Sequence, residues 1–206
     1  MTNNFKPAKG IRVSNLDGIQ EGYCVAEQQN YFIITVNVSA ENIDFVFHSL
    51  CKKVRTPAFL ILEHATHRDI ERELRKNDTD SLHKDVFYID GLQYKDFLKL
   101  YEKHKELLIN DGMVQFGFGS HDGYDEVFVR KYKIFTIYAD VPSKYTDELE
   151  QLGIGRDDNL KTVWENFTDE TPGRCETISI DNKNIYDMFE ELKESGLYFA
   201  ERREDN

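Results

Sequence analysis

The stretch GYCVAEQQNYFIITV, residues 22–36, returns as GYDEVFVRKYKIFTI, residues 123–137. Gly22-Tyr23, Tyr31, Ile33 and Thr35 stand in the first as Gly123-Tyr124, Tyr132, Ile134 and Thr136 stand in the second, at a constant spacing of 101 residues. Further on, Ile89-Asp90 and Asp96 answer Ile180-Asp181 and Asp187, and Gly112-Met113 answers Gly196-Leu197, each at a shorter spacing. Self-similarity of this kind constrains architecture before any single element does. It predicts an α+β fold of alternating α/β elements. Two tandem, diverged halves, each β-β-α, an insert, then β-α-β, pack as one compact unit. The boundaries read as an N-terminal arm (1–21), a first repeat (22–119), a second repeat (120–200) and a charged, solvated tail (201–206).

Local patterns fill in the elements. Tyr31, Phe32, Ile33, Ile34, Val36 and Val38 supply the β-branched and aromatic density of a strand, and residues 22–28 form its hairpin partner. Ile43, Val46, Phe47 and Leu50 recur at helical spacing over 40–53, with Ser39 as the expected cap. Residues 58–62 form a buried strand, 69–75 a short polar helix, 77–84 a polar loop and 86–89 another strand. The longest helix covers 93–110, with Gly112 as its expected left-handed cap. Strands follow at 113–119, 124–130 and 132–139, then helices at 143–152, 158–167 and 184–195. Strands at 177–180 and 197–199 complete the second half. Asp90 and Asp181 each follow a strand, where a carboxylate caps a strand-to-helix turn.

Composition excludes several classes. The chain has 206 residues, 40% of them hydrophobic and 13% aromatic, which is enough to bury a substantial core. Its net charge of −12 opposes nucleic acid, whose binding rests on Lys and Arg displacing counterions. It favours a basic protein partner instead. The three cysteines, Cys24, Cys51 and Cys175, lie far apart without CxxC spacing, so neither a disulfide framework nor a zinc ribbon is expected. The N-terminus carries no apolar signal core and no apolar run reaches membrane-spanning length. A reducing cytoplasm is the expected address.

The sharpest metal candidate is the pair His64 and His67, three apart in Glu63-His64-Ala65-Thr66-His67; catalytic HExxH motifs place their histidines four apart. At the junction of the repeats, Ser120-His121-Asp122-Gly123 reads as a hairpin turn. The glycines before it, Gly117 and Gly119, read as sites of close packing. His121, Asp122, Asp125 and Glu126 form the candidate binding cluster there. A second candidate surface is acidic: Glu190, Glu191 and Glu194, away from the apolar stripe Ile185, Met188, Phe189 and Leu192. No nucleophile elbow or Cys–His arrangement is present, and no cofactor is called for.

These features point to an acidic cytosolic protein-binding module that neutralises a basic protein partner. Immunity proteins meet secreted toxins in this way, and the likeness is one of composition. The alternative is a small-ligand-binding protein or metal-dependent enzyme that uses the groove between the two halves.

Overall fold

The computed structural model describes residues 5–77 and 79–205. Residues 1–4 of the expected arm, Asp78 of the expected polar loop and Asn206 of the expected tail lie outside it. The fold is mixed α+β. Among the described residues ten strands occupy Ile11–Arg12 (β1), Gly22–Glu27 (β2), Phe32–Asn37 (β3), Ala58–Ala65 (β4), His83–Leu92 (β5), Gln115–Gly119 (β6), Asp125–Val129 (β7), Phe135–Ala139 (β8), Arg174–Cys175 (β9) and Tyr198–Glu204 (β10). Five α-helices among the same residues occupy Ile43–Cys51 (α1), Arg68–Leu74 (α2), Tyr94–Asn110 (α3), Ser143–Gln151 (α4) and Ile185–Lys193 (α5).

Eight strands form one antiparallel sheet in the order β10-β5-β4-β6-β7-β8-β3-β2, and β1 pairs with β9 in a small second sheet. Side chains alternate across a strand, so each strand feeds two faces. On one face Ile34, Val36, Leu60, Leu62, Phe116, Phe118, Val127, Val129, Phe135 and Ile137 join one apolar core. Phe47 of α1, Phe97 and Tyr101 of α3, Tyr145 and Leu149 of α4, and Met188 and Phe189 of α5 close over it. Aromatic rings lock this layer: Phe97 stacks on Phe118 at 4.0 Å, and Phe47 meets Phe116 edge-on at 4.9 Å. The opposite face holds a separate small cluster of Phe59, Ile61, Val86 and Phe128, which no helical residue joins.

The repetition is carried only part of the way. The hairpin β2–β3 with α1 corresponds to β7–β8 with α4, and Thr35 pairs directly with Thr136, its counterpart at the 101-residue spacing. Beyond α4 the correspondence stops. The expected strand at 177–180 adds nothing to the main sheet: its only pairing is an isolated bridge between Ile180 and Lys183. The buried Asp111 carboxylate takes the Ile178 N–H at 2.9 Å, and that of Met113 at 2.8 Å, which removes a donor that a ladder needs. β10 then pairs with β5 at the far edge of the sheet. A repeat spanning both halves is therefore not confirmed beyond the hairpin and first helix of each half.

Other expectations change for equally local reasons. The helix at 158–167 reduces to a 3-10 turn over Val163–Asn166. The Asp157 carboxylate holds the Asn159 N–H at 2.9 Å, and the Asn37 side chain donates to the Lys161 carbonyl at 2.8 Å, so this backbone is committed to other partners. Ser39 does not cap through its side chain. Its hydroxyl accepts the Lys6 N–H at 3.2 Å. Gly112 is needed for close approach, since a Cβ there would lie 2.1 Å from the Gly10 carbonyl oxygen. The residues expected as a tail form most of β10, up to Glu204. By contrast Gly153 and Gly196 end their helices with φ of +82° and +95°, the conformation glycine favours.

Candidate functional site

The pairing registers place one row of side chains across the uncovered face: Tyr198, Tyr88, Ile61, Gly117, Phe128, Thr136, Thr35 and Cys24. The next row runs Phe59, Gly119, Glu126, Tyr138, Ile33 and Ala26. Directly opposed residues share a face and touch. Both glycines fall on β6 in the middle of the sheet. A Cβ at Gly117 would lie 2.5 Å from the Phe128 ring and 3.1 Å from Ile61, and one at Gly119 would lie 2.7 Å from the Phe59 ring and 2.8 Å from Glu126 Cγ. Neighbouring side chains therefore lean across the bare strand, which is how Phe59, Ile61 and Phe128 become buried without a covering helix. The close-packing reading of these glycines holds.

At one end of this face the rings gather. Phe59 lies 4.6 Å from His121 and 5.3 Å from Tyr88, and Tyr88 lies 6.4 Å from Tyr198. Two carboxylates border them. Asp90 takes Tyr198 Oη–H on one oxygen and sits 2.9 Å from His121 Nε2 on the other. The Tyr198 hydrogen bond, with His121 beside it, holds the Asp90 carboxyl below its usual range despite some burial. Glu126 is the opposite case. Burial pushes its carboxyl up to about 7, Arg130 works against that, and Glu63 adds to it. Aromatic faces flanked by carboxylates are suited to an ammonium or guanidinium group.

Farther along the same face, Lys84 pairs with Glu63 at 2.8 Å, Arg203 reaches Glu63 at 3.1 Å, and Arg130 donates to Tyr138 Oη at 2.6 Å. Trp164 projects from the 3-10 turn and is half exposed.

The expected site residues divide. The hairpin at 120–123 is present, with β6 and β7 antiparallel and the Ser120 N–H bonded to the Asp125 carbonyl at 2.8 Å. His121 lies 4.6 Å from the Phe59 ring, and Glu126 and Phe59 both flank Gly119. Asp122 lies in the turn, exposed, where its carbonyl accepts from Arg55. Asp125 points to the helix-covered face, because adjacent strand residues alternate. There it accepts from Lys144 Nζ at 2.7 Å, from the Arg55 N–H at 2.8 Å and from Tyr145 Oη. Burial alone would raise its carboxyl, but these donors outweigh it and hold it below the ordinary range.

The remaining candidates lie elsewhere. On α5, Glu191 is held down to about 2 by Lys103 and Lys183, and Glu190 bonds Lys193 at 2.6 Å. Glu194, just beyond the last turn, is exposed and has no such cation among the described residues. His64 faces the helices, 4.8 Å from Phe189, while His67 lies at the start of α2 and accepts the Asp69 N–H at 3.4 Å. Among the described residues no group of three His, Cys, Asp or Glu side chains is placed to hold a metal ion. Asp90 does not cap α3, whose first residue follows Gln93. Asp90, Tyr88, Tyr198 and Phe59 are the site residues that sequence reasoning missed. The available signal was period-2 alternation, which puts Tyr88 on one face, but pairing it with Tyr198 required knowing that β10 adjoins β5.

All three cysteines are free, and no helix among the described residues is long and apolar enough to cross a membrane. Compared with known proteins, the chain matches no protein-family model, no curated protein and no solved structure.

Proposed function

We propose that the chain is a protein-binding module that receives a cationic side chain of a basic protein partner on the uncovered sheet face, at Phe59, Tyr88, Tyr198, His121, Asp90 and Glu126. The observation that carries this reading is the joining of aromatic rings to two carboxylates on a face without a helical layer. The net charge of −12 adds long-range attraction to a basic surface. Tyrosines at the centre of a patch are frequent anchors of binding energy. Neutralising a basic toxin in the manner of an immunity protein is the use that this surface chemistry suits. A cytoplasmic address belongs to the same proposal, supported by three unpaired thiols.

The test measures binding of a fluorescent oligo-arginine peptide by anisotropy. Two double variants are compared at about pH 9, above the raised Glu126 value of about 7, so that each removes two charges: Asp90→Asn with Glu126→Gln, and Glu190→Gln with Glu194→Gln. The expected result is a loss of about tenfold or more for the first pair and little change for the second. Equal losses would reduce the interaction to net charge and sink the reading.

A further inference from the structure

At the other end of the uncovered face lies a cleft whose chemistry opposes that of the chain as a whole. It has a volume of about 610 Å³ between the strands and the 3-10 turn at 163–166, within the range of small-molecule sites. Its walls include Trp164, Arg130, Lys131, Lys84, Gln115 and Thr136. Three cations thus line a cleft in a protein of net charge −12: Lys84 is paired with Glu63 and Lys131 with Asp205, while Arg130 has no carboxylate ion-pair partner among the described residues. Lys84, Gln115, Lys131 and Asp205 also line a second chamber of about 260 Å³, so the two spaces share a wall.

Two groups are set up for a guest. Gln115 is 5% exposed; its Oε1 accepts the Lys131 N–H at 3.1 Å, and its amide NH₂ has no hydrogen-bond partner among the described residues. Arg130 lies 5.1 Å above the Phe128 ring and donates one N–H to Tyr138, leaving the rest of its fork without an acceptor among the described residues. Both residues line the cleft, where a ligand acceptor can pair with these donors. Trp164, half exposed beside them, offers a flat apolar wall. Lys131 is engaged by Asp205, which therefore competes with any incoming anion.

We infer that this cleft binds a small anion bearing a planar ring, with the ring against Trp164 and the anionic group, phosphate or carboxylate, held by Arg130, Lys131 and the Gln115 amide. Trp164 is the chain's one tryptophan, so its emission reports on the cleft directly. The full chain is titrated with adenosine monophosphate, 4-hydroxybenzoate, adenosine and inorganic phosphate, with calorimetry alongside. Saturable binding of either ring-bearing acid, tighter than that of adenosine or phosphate, is expected, and the acid that binds identifies the anionic group. Arg130→Gln should weaken it by about tenfold. Asp205→Asn should tighten it severalfold by releasing Lys131, a direction that general damage to the fold would not produce. No saturation by either acid at millimolar concentration overturns the inference, as does equal affinity in the native protein and both variants.

Discussion

The two faces of the eight-stranded sheet are made from alternating residues of the same strands and reach burial by different means. On the covered face Phe116 and Phe118 are sealed by Phe47, Phe97 and Tyr101 from two helices. On the other face Phe59 and Phe128 lie over glycines, with nothing from a helix above them. Around Phe116 and Phe118 the first face has mainly apolar contacts to lose, its buried Asp125 lying apart with Lys144, Arg55 and Tyr145. The second retains polar groups among its rings, including a carboxylate whose proton is held to about pH 7. The difference teaches that low exposure alone does not identify a core: on this sheet the face with equally hidden aromatics is the one on which we propose recognition.

The most severe test of that distinction is to truncate one ring on each face. Phe116→Ala should cost about 3–5 kcal/mol in a denaturant melt, since the rings of Phe47 and Tyr101 lose their partner. Phe59→Ala should cost clearly less, and an equal cost would make the uncovered face a second core. Next come the glycines. Gly112→Ala drives a methyl group into the Gly10 backbone and should cost about 3 kcal/mol. Gly119→Ala meets a ring edge and a flexible side chain that can swing away, for about 1 kcal/mol. Comparable midpoints for these two would show that the rings over β6 are as immovable as backbone.

A smaller effect sharpens the electrostatic half of the comparison. A carboxyl whose folded value is raised from 4.5 to about 7 binds its proton more tightly in the folded chain than in the unfolded one. Its contribution is therefore full below pH 4.5 and lost as pH rises to about 7. Stability profiles of native and Glu126→Gln proteins should diverge across that window, the native curve falling more steeply; parallel curves would place Glu126 in a water-like setting. The smallest expected change is His121→Ala. Its pair with Asp90 is largely exposed, so the loss should stay within about 1 kcal/mol. A loss above about 2 kcal/mol would mean that the rim is structural.

Legibility follows the range of the interactions involved. The hairpins, α1, α3 and α5 are readable because alternation and the helical stripe are local, and Asp122-Gly123 marks a turn wherever it sits. The segment 158–167 misleads because Leu160, Val163, Trp164 and Phe167 carry helical spacing, while Asp157, Asp158 and Asn159 offer side-chain competitors for the same backbone. Residues 177–180 mislead in the same way, since their apolar alternation suits a strand but Asp111, far earlier in the chain, captures the Ile178 N–H. Of the candidate site, His121 and Glu126 were visible as neighbours in sequence. Their separation from Asp125 follows from alternation once the strand is placed.

By itself the sequence determined the α+β character, the negative charge and most of the places where the chain turns, because side-chain shape and backbone preference act over a few residues. Only the tertiary structure decided that β10 lies beside β5, that the second half breaks from the first, and that Tyr198, Asp90 and His121 meet. Those outcomes depend on which distant donor reaches which acceptor, a competition among hydrogen bonds of similar strength that is resolved only when the whole sheet is assembled.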